Sequence, residues 1–171
     1  MDEHLKARKV SVPAFATAGR LYGRSVLPAV AEDDPRAVRT IAVTAEDVVA
    51  ALEANERGRR DGRTVLRITP PFSGRMRARI HVEQGLEYGD PAPVHVPPRD
   101  LVADPPPFPS PDDTEDAIRS DPDAEYTRER HRERHARAVE EWREAVRDSL
   151  VEAVDLGLPE GTHRVEVAVL G

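Results

Sequence analysis

The chain has 171 residues, 39% of them hydrophobic and 33% charged, which suits one domain with a modest core. Its formal net charge of −7 excludes indiscriminate attraction to nucleic acid or to an anionic membrane, so any polyanion contact has to come from a local basic patch. Cysteine is absent, which excludes disulfides, thiolate nucleophiles and cysteine-based zinc sites.

Residues 1–36 read as a flexible arm. Within it VSVPAFATAGRLYGRSVLPAV (10–30) is apolar, but Pro13, Arg20 and Arg24 interrupt it long before the ~18 residues that a membrane span needs. No membrane association is expected. A signal peptide built on KARK and VPAFATA, or upstream sequence foreign to the native start, are the alternative readings of the arm. Lys6 and Lys9 are the only lysines, and all later positive charge is arginine. With rich Asp and Glu and few aromatics, this fits a high-GC, salt-adapted proteome, and a cytoplasmic location is the default.

VRTIAVT (38–44) alternates Ile41 and Val43 with small residues and predicts a strand. Thr44 then precedes AEDVVAALEANERG with Asp47 three residues on, which predicts an N-capped helix that Gly58 ends. RRDGRTVLRITPPFSGRMRARIHVE (59–83) has two alternating runs about PPFSG, whose turn residues predict a hairpin with Phe72 at the sheet edge. Leu66, Ile68, Met76, Ala78, Ile80 and Val82 are expected on its buried face.

From Asp90 to Pro122 ten of the 16 prolines accumulate, and residues 104–125 hold eight acidic groups against Arg119 alone. Residues 90–122 therefore read as a mobile acidic insertion with polyproline II character, with VHVPP (94–98) as a short edge strand. A long helix is expected over Asp123 to Leu156, between Pro122 and Gly157, with the apolar stripe Val139, Trp142, Val146, Leu150 and Ala153. THRVEVAVLG closes the chain as a strand. The order β-α-β-β-α-β over residues 37–171 predicts a single α+β domain of the ferredoxin-like kind. Such a domain has an antiparallel sheet with two helices on one face, here with the long helix before the last strand. Other α+β arrangements share that order.

Two constellations could carry function. Arg75, Arg77, Arg79 and His81, joined by Arg67 across the hairpin, are expected on one strand face by period two, a basic stripe about 20 Å long that suits a phosphate backbone or an acidic peptide. The competing reading is a solvated face paired with Glu166 and the acidic insertion. The strand offers no exposed aromatics for stacking RNA bases. The second constellation is RERHRERH (128–135), in which His131 and His135 stand one helical turn apart. An HExxH zinc motif fails at Arg132, and a third ligand would have to come from His81, His95, His163 or a carboxylate. Helical projection places the two histidines on the core-facing stripe, while Arg128, Arg130, Arg132 and Arg134 form an exposed collar. PPFSG precedes a strand and so lacks the context of a phosphate-binding loop. No catalytic set emerges and no cofactor is implied.

TIAVTAEDVVAALEAN (40–55) and TVLRITPPFSGRMRARIHV (64–82) resemble an uncharacterised family of small haloarchaeal proteins. The resemblance implies no activity and no site residues. The residues themselves lead to the expectation of a small, non-enzymatic binding or regulatory module that contacts a nucleic acid or an acidic protein through its arginines. The alternatives are a homo-oligomeric or adaptor subunit, and a small enzyme or histidine-ligated metal protein.

Overall fold

In the computed structural model, which describes residues 33–58, 63–85 and 89–171, Ile41 and Val43 sit at the centre of strand β1 (Thr40–Thr44), which leads directly into α1 (Ala45–Glu56). Thr44 closes the helix start by accepting from the Asp47 N–H at 3.3 Å, and Glu46 and Asp47 occupy the first turn, where the helix dipole favours them. Gly58, at φ +61°, carries the chain out of the helix. Of the expected arm, residues 1–32 lie outside the described residues, and Pro35–Ala37 form a short 3-10 turn.

The fold is α+β, but the strands make two sheets rather than one. β2 (Thr64–Ile68), β4 (Arg79–Val82) and β5 (Val94–Val96) form an antiparallel sheet in the order β4-β2-β5. β3 (Arg75–Arg77), β1, β7 (Gly161–Leu170) and β6 (Ala153–Leu158) form the other in the order β3-β1-β7-β6, with β3 and β7 both parallel to β1. The ferredoxin-like sheet expected from the element order is thus replaced. The cause lies at Ala78, where a single run of alternating residues changes sheets. Its N–H donates to Ala42 O at 3.0 Å, and from Arg79 onward the strand pairs with β2 instead. Ala78 is fully buried at this crossing, so a larger side chain has no room there. PPFSG is consequently a link between sheets, and Phe72, expected at an edge, is among the largest fully buried side chains. Ile80 and Val82, expected in the core, are 42% and 37% exposed.

Residues 90–122 carry the expected edge strand as β5, and where a mobile insertion was expected they supply a 3-10 turn (Pro98–Leu101) and helix α2 (Pro111–Arg119). Their anchors are aromatic and apolar. Leu101 is fully buried, Phe108 meets Trp142 edge-on at 5.0 Å, and the Trp142 Nε1–H donates to Pro106 O at 2.9 Å. The prolines end elements here as well as disfavouring them. Pro98 is the residue that would face Thr64 if β5 continued, and proline has no N–H to donate. Asn55 of α1 takes that place: its Nδ2 donates to Thr64 O at 2.8 Å and its Oδ1 accepts from the Thr64 N–H at 2.9 Å.

The long helix, α3, runs from Arg128 to Asp148 and is shorter than expected. Ala153 belongs to β6, where Val154 and Leu156 are buried and Asp155 is exposed, and the turn Pro159-Glu160 folds the strand back onto β7. One hydrophobic cluster joins both sheets, α1, the 90–102 segment and α3. The α1–α3 contact is tied by Glu53, which receives Arg143 Nε at 2.8 Å and Nη2 at 3.0 Å, with Arg57 at 2.7 Å. The hydrogen bond from Arg143, with desolvation opposing it, holds the Glu53 carboxyl below its ordinary range.

Asn55→Ala should destabilise the protein by about 1–3 kcal/mol in urea unfolding, because two backbone groups of a buried residue lose their partner at once. Glu53→Gln should cost about 1–2 kcal/mol at neutral pH. Since the folded carboxyl titrates lower than the unfolded one, that stabilisation is present above about pH 4.3 and fades as pH falls below it, so wild type and variant should converge in acid.

Candidate binding surfaces

The switch at Ala78 divides the expected arginine row. Arg75 and Arg77 lie on the edge strand β3, in register with Thr40 and Ala42, and Glu166 follows on β7 beyond Thr40. Thr40 Oγ1 reaches Glu166 at 3.5 Å, and both arginines are exposed. Arg79 and His81 lie in the other sheet with Arg67. There Arg79, Arg67 and His95 stand opposite one another across three strands, and His81 faces Val65. The sequence raises His95 only as a possible third metal ligand and does not raise Glu83, whose Oε1 lies 2.8 Å from His95 Nδ1. The rings of His81 and His95 stack at 5.7 Å. The signal for both was present in VHVPP and in the continued alternation after His81, but only the strand register brings them together.

The opposite face of that small sheet packs toward α1, as Ile80 and Val82 line a groove with Ala50 and Ala54 of the helix. Alternation therefore turns Arg67, Arg79 and His81 away from α1, the helix to which Arg143 fastens α3. The sheet arginines and the helix arginines are separate surfaces.

α3 begins at its N-cap Thr127, which accepts from the Arg130 N–H at 3.1 Å. As the helical projection implied, His131 and His135 face inward, though onto α2 rather than onto a sheet. His131 Nε2 lies 2.9 Å from Pro111 O and 3.1 Å from Thr114 Oγ1, and His135 Nδ1 lies 3.5 Å from the same hydroxyl. These contacts engage the nitrogens a metal would need, with buried Thr114 between the two rings. The other candidate ligands lie elsewhere: His95 with Glu83 and His81, and His163 with Val38 O at 2.6 Å. Among the described residues no three His, Cys, Asp or Glu side chains converge to hold a metal.

The arginines of this helix split by position. Arg130 donates to Glu125 O. Arg128, Arg132 and Arg134 are exposed, as is Arg137, which sequence reasoning did not single out. None of these four makes an ion pair among the described residues. Arg119 with Glu115 at 2.7 Å and Arg147 with Glu140 at 3.5 Å are in carboxylate contact, whereas the exposed Arg75, Arg77 and Arg79 of the sheets, like these four, are in no ion pair among the described residues. The Arg119 hydrogen bond keeps the Glu115 carboxyl below its ordinary range.

Among the described residues no helix is long and apolar enough to cross a membrane. Comparison with curated proteins and with solved structures found no match. A family model described as a domain of unknown function, DUF8009, matches residues 28–171, and the chain belongs to that family.

Proposed function

We propose that this protein is a non-catalytic binding module that holds nucleic acid by its phosphate backbone on the amino-terminal half of α3. The observation that carries the reading is the exposure of Arg128, Arg132, Arg134 and Arg137, without ion pairs among the described residues, in a chain whose net charge is −7. Arg57, Arg119 and Arg143 are paired with carboxylates and the exposed Arg75, Arg77 and Arg79 are in no ion pair among the described residues, but α3 stands apart in carrying four such arginines on one element.

Their placement also runs against helix stability. Arg128, in the first turn, opposes the positive end of the helix dipole at about 0.3–1 kcal/mol, and it repels the stacked Arg132 by a few tenths of a kcal/mol. The same features favour an anion. At about 100° per residue Arg128 and Arg132 lie on one side of α3 and Arg134 and Arg137 on the other, with Glu129 and Glu133 between, so the four guanidinium groups flank the outer face over about 14 Å of helix axis and meet phosphates on the two sides of a duplex groove. Base reading is not part of the proposal, because Tyr126, the neighbouring aromatic, is occupied by Arg119 over its ring at 4.3 Å and by His131 at 5.9 Å. The acidic remainder of the molecule repels the same ligand, which confines contact to this patch.

Fluorescence anisotropy with a labelled oligonucleotide duplex tests the proposal. Binding should weaken with salt at a log–log slope of about −3 to −4, one phosphate per arginine. Replacing Arg128, Arg132, Arg134 and Arg137 by Ala should abolish it, whereas Arg67→Ala with Arg79→Ala should leave it intact. Absence of binding at low salt, or undiminished binding by the quadruple variant, would overturn the reading, and capture of an acidic protein but of no oligonucleotide would replace the ligand class.

A further inference from the structure

β4 lies at the outer edge of its sheet. Among the described residues no strand adjoins that edge, and its two large apolar residues, Ile80 and Val82, are 42% and 37% exposed. Between them and Ala50 and Ala54 of α1 lies an open groove of about 340 Å³. Open apolar edges of this kind invite strand pairing unless they are covered.

Hydrogen-bond geometry determines which registers are available. Glu83 N–H donates to Arg63 O at 2.9 Å, so by the alternation of an antiparallel ladder Arg79, His81 and Glu83 direct their backbone groups toward β2. Ile80 and Val82 direct theirs outward. A second antiparallel copy must therefore match outward residues with outward residues. Centring the pair on Ile80 would require an outward N–H from Ala78, which is already given to Ala42 O at 3.0 Å. Centring it on Val82 leaves Arg79 facing Gly85. Centring it on His81 sets Ile80 against Val82 twice and Arg79 against Glu83 twice, so apolar contacts, charges and hydrogen bonds agree in one register.

We infer that two copies of this chain dimerise edge to edge through β4, with His81 on the two-fold axis, joining two three-stranded sheets into one of six. The union buries Ile80 and Val82 of both copies beneath the two α1 helices and closes the groove. Each Arg79 acquires a carboxylate from the partner in place of the like charge of Arg67 that faces it within its own sheet. The inference is independent of the α3 surface, which lies on other elements.

The chain contains no cysteine, so one introduced thiol reports the register directly. At a non-hydrogen-bonded antiparallel pair the Cα atoms are about 4.5 Å apart, within the range of a disulfide. Under mild oxidation His81→Cys should form a covalent dimer, while Ile80→Cys, whose copies stand on the order of 7–8 Å apart on a diagonal, should not. In sedimentation the full chain should be dimeric and Ile80→Lys monomeric, with unchanged far-UV circular dichroism. A wild-type monomer at the highest soluble concentration, or a dimer in which His81→Cys fails to cross-link, would overturn the inference.

Discussion

One backbone hydrogen bond, from Ala78 N–H to Ala42 O, marks the point on which the architecture turns. Up to Ala78 the chain extends the β1 sheet, and beyond it the chain extends the β2 sheet, so a stretch of eight residues (75–82) belongs to both layers. The crossing places Phe72 in the core, sets β4 at an open edge, and divides what reads as a single arginine row between two sheets. It tolerates only a small residue, because Ala78 is enclosed where the layers meet. The loop-rich 90–122 segment then completes the structure by supplying β5 and by meeting Trp142, whose indole fixes both Phe108 and Pro106.

The same helix that anchors this segment separates two kinds of charge. At its carboxyl half Arg143 and Arg147 are committed to Glu53 and Glu140, where they join α3 to α1 and stabilise its last turns. At its amino half the histidines are taken up by α2, and the arginines are left exposed, with Arg128 at the positive end of the helix dipole. The acidic helix α2 thus supports α3 without covering its arginines. The organisation is one of a rigid, paired half and an open, cationic half on a single continuous element.

Much of this was legible in the sequence, and the failures have specific causes. Thr44 as an N-cap, Gly58 as a helix stop, the β1 alternation and the inward histidines all follow from local chemistry, and the structure has them in place. The two-sheet topology was not legible, because period two is the same whether residues 75–82 pair with one strand or two. The end of α3 was misplaced because Val146, Leu150 and Ala153 keep helical spacing, although Val154, Leu156 and Leu158 alternate before a Pro-Glu-Gly turn and carried the correct signal. The proline-rich stretch was judged by composition, which misses that single residues such as Leu101, Phe108 and Ile118 can anchor a segment poor in apolar groups. Arg137 was missed, and His95 was considered only as a metal ligand, because neither belongs to the repeat or to the arginine row.

The central functional claim is that the helix arginines and the sheet arginines are distinct surfaces, and that only the former meets a polyanion. Photo-cross-linking of a short oligonucleotide to the full-length protein, with adducts located by mass spectrometry, addresses it most directly. Adducts are expected only in peptides spanning Arg128 to Arg137. Adducts concentrated on Arg67, Arg79 and His81, with α3 unmodified, would contradict it.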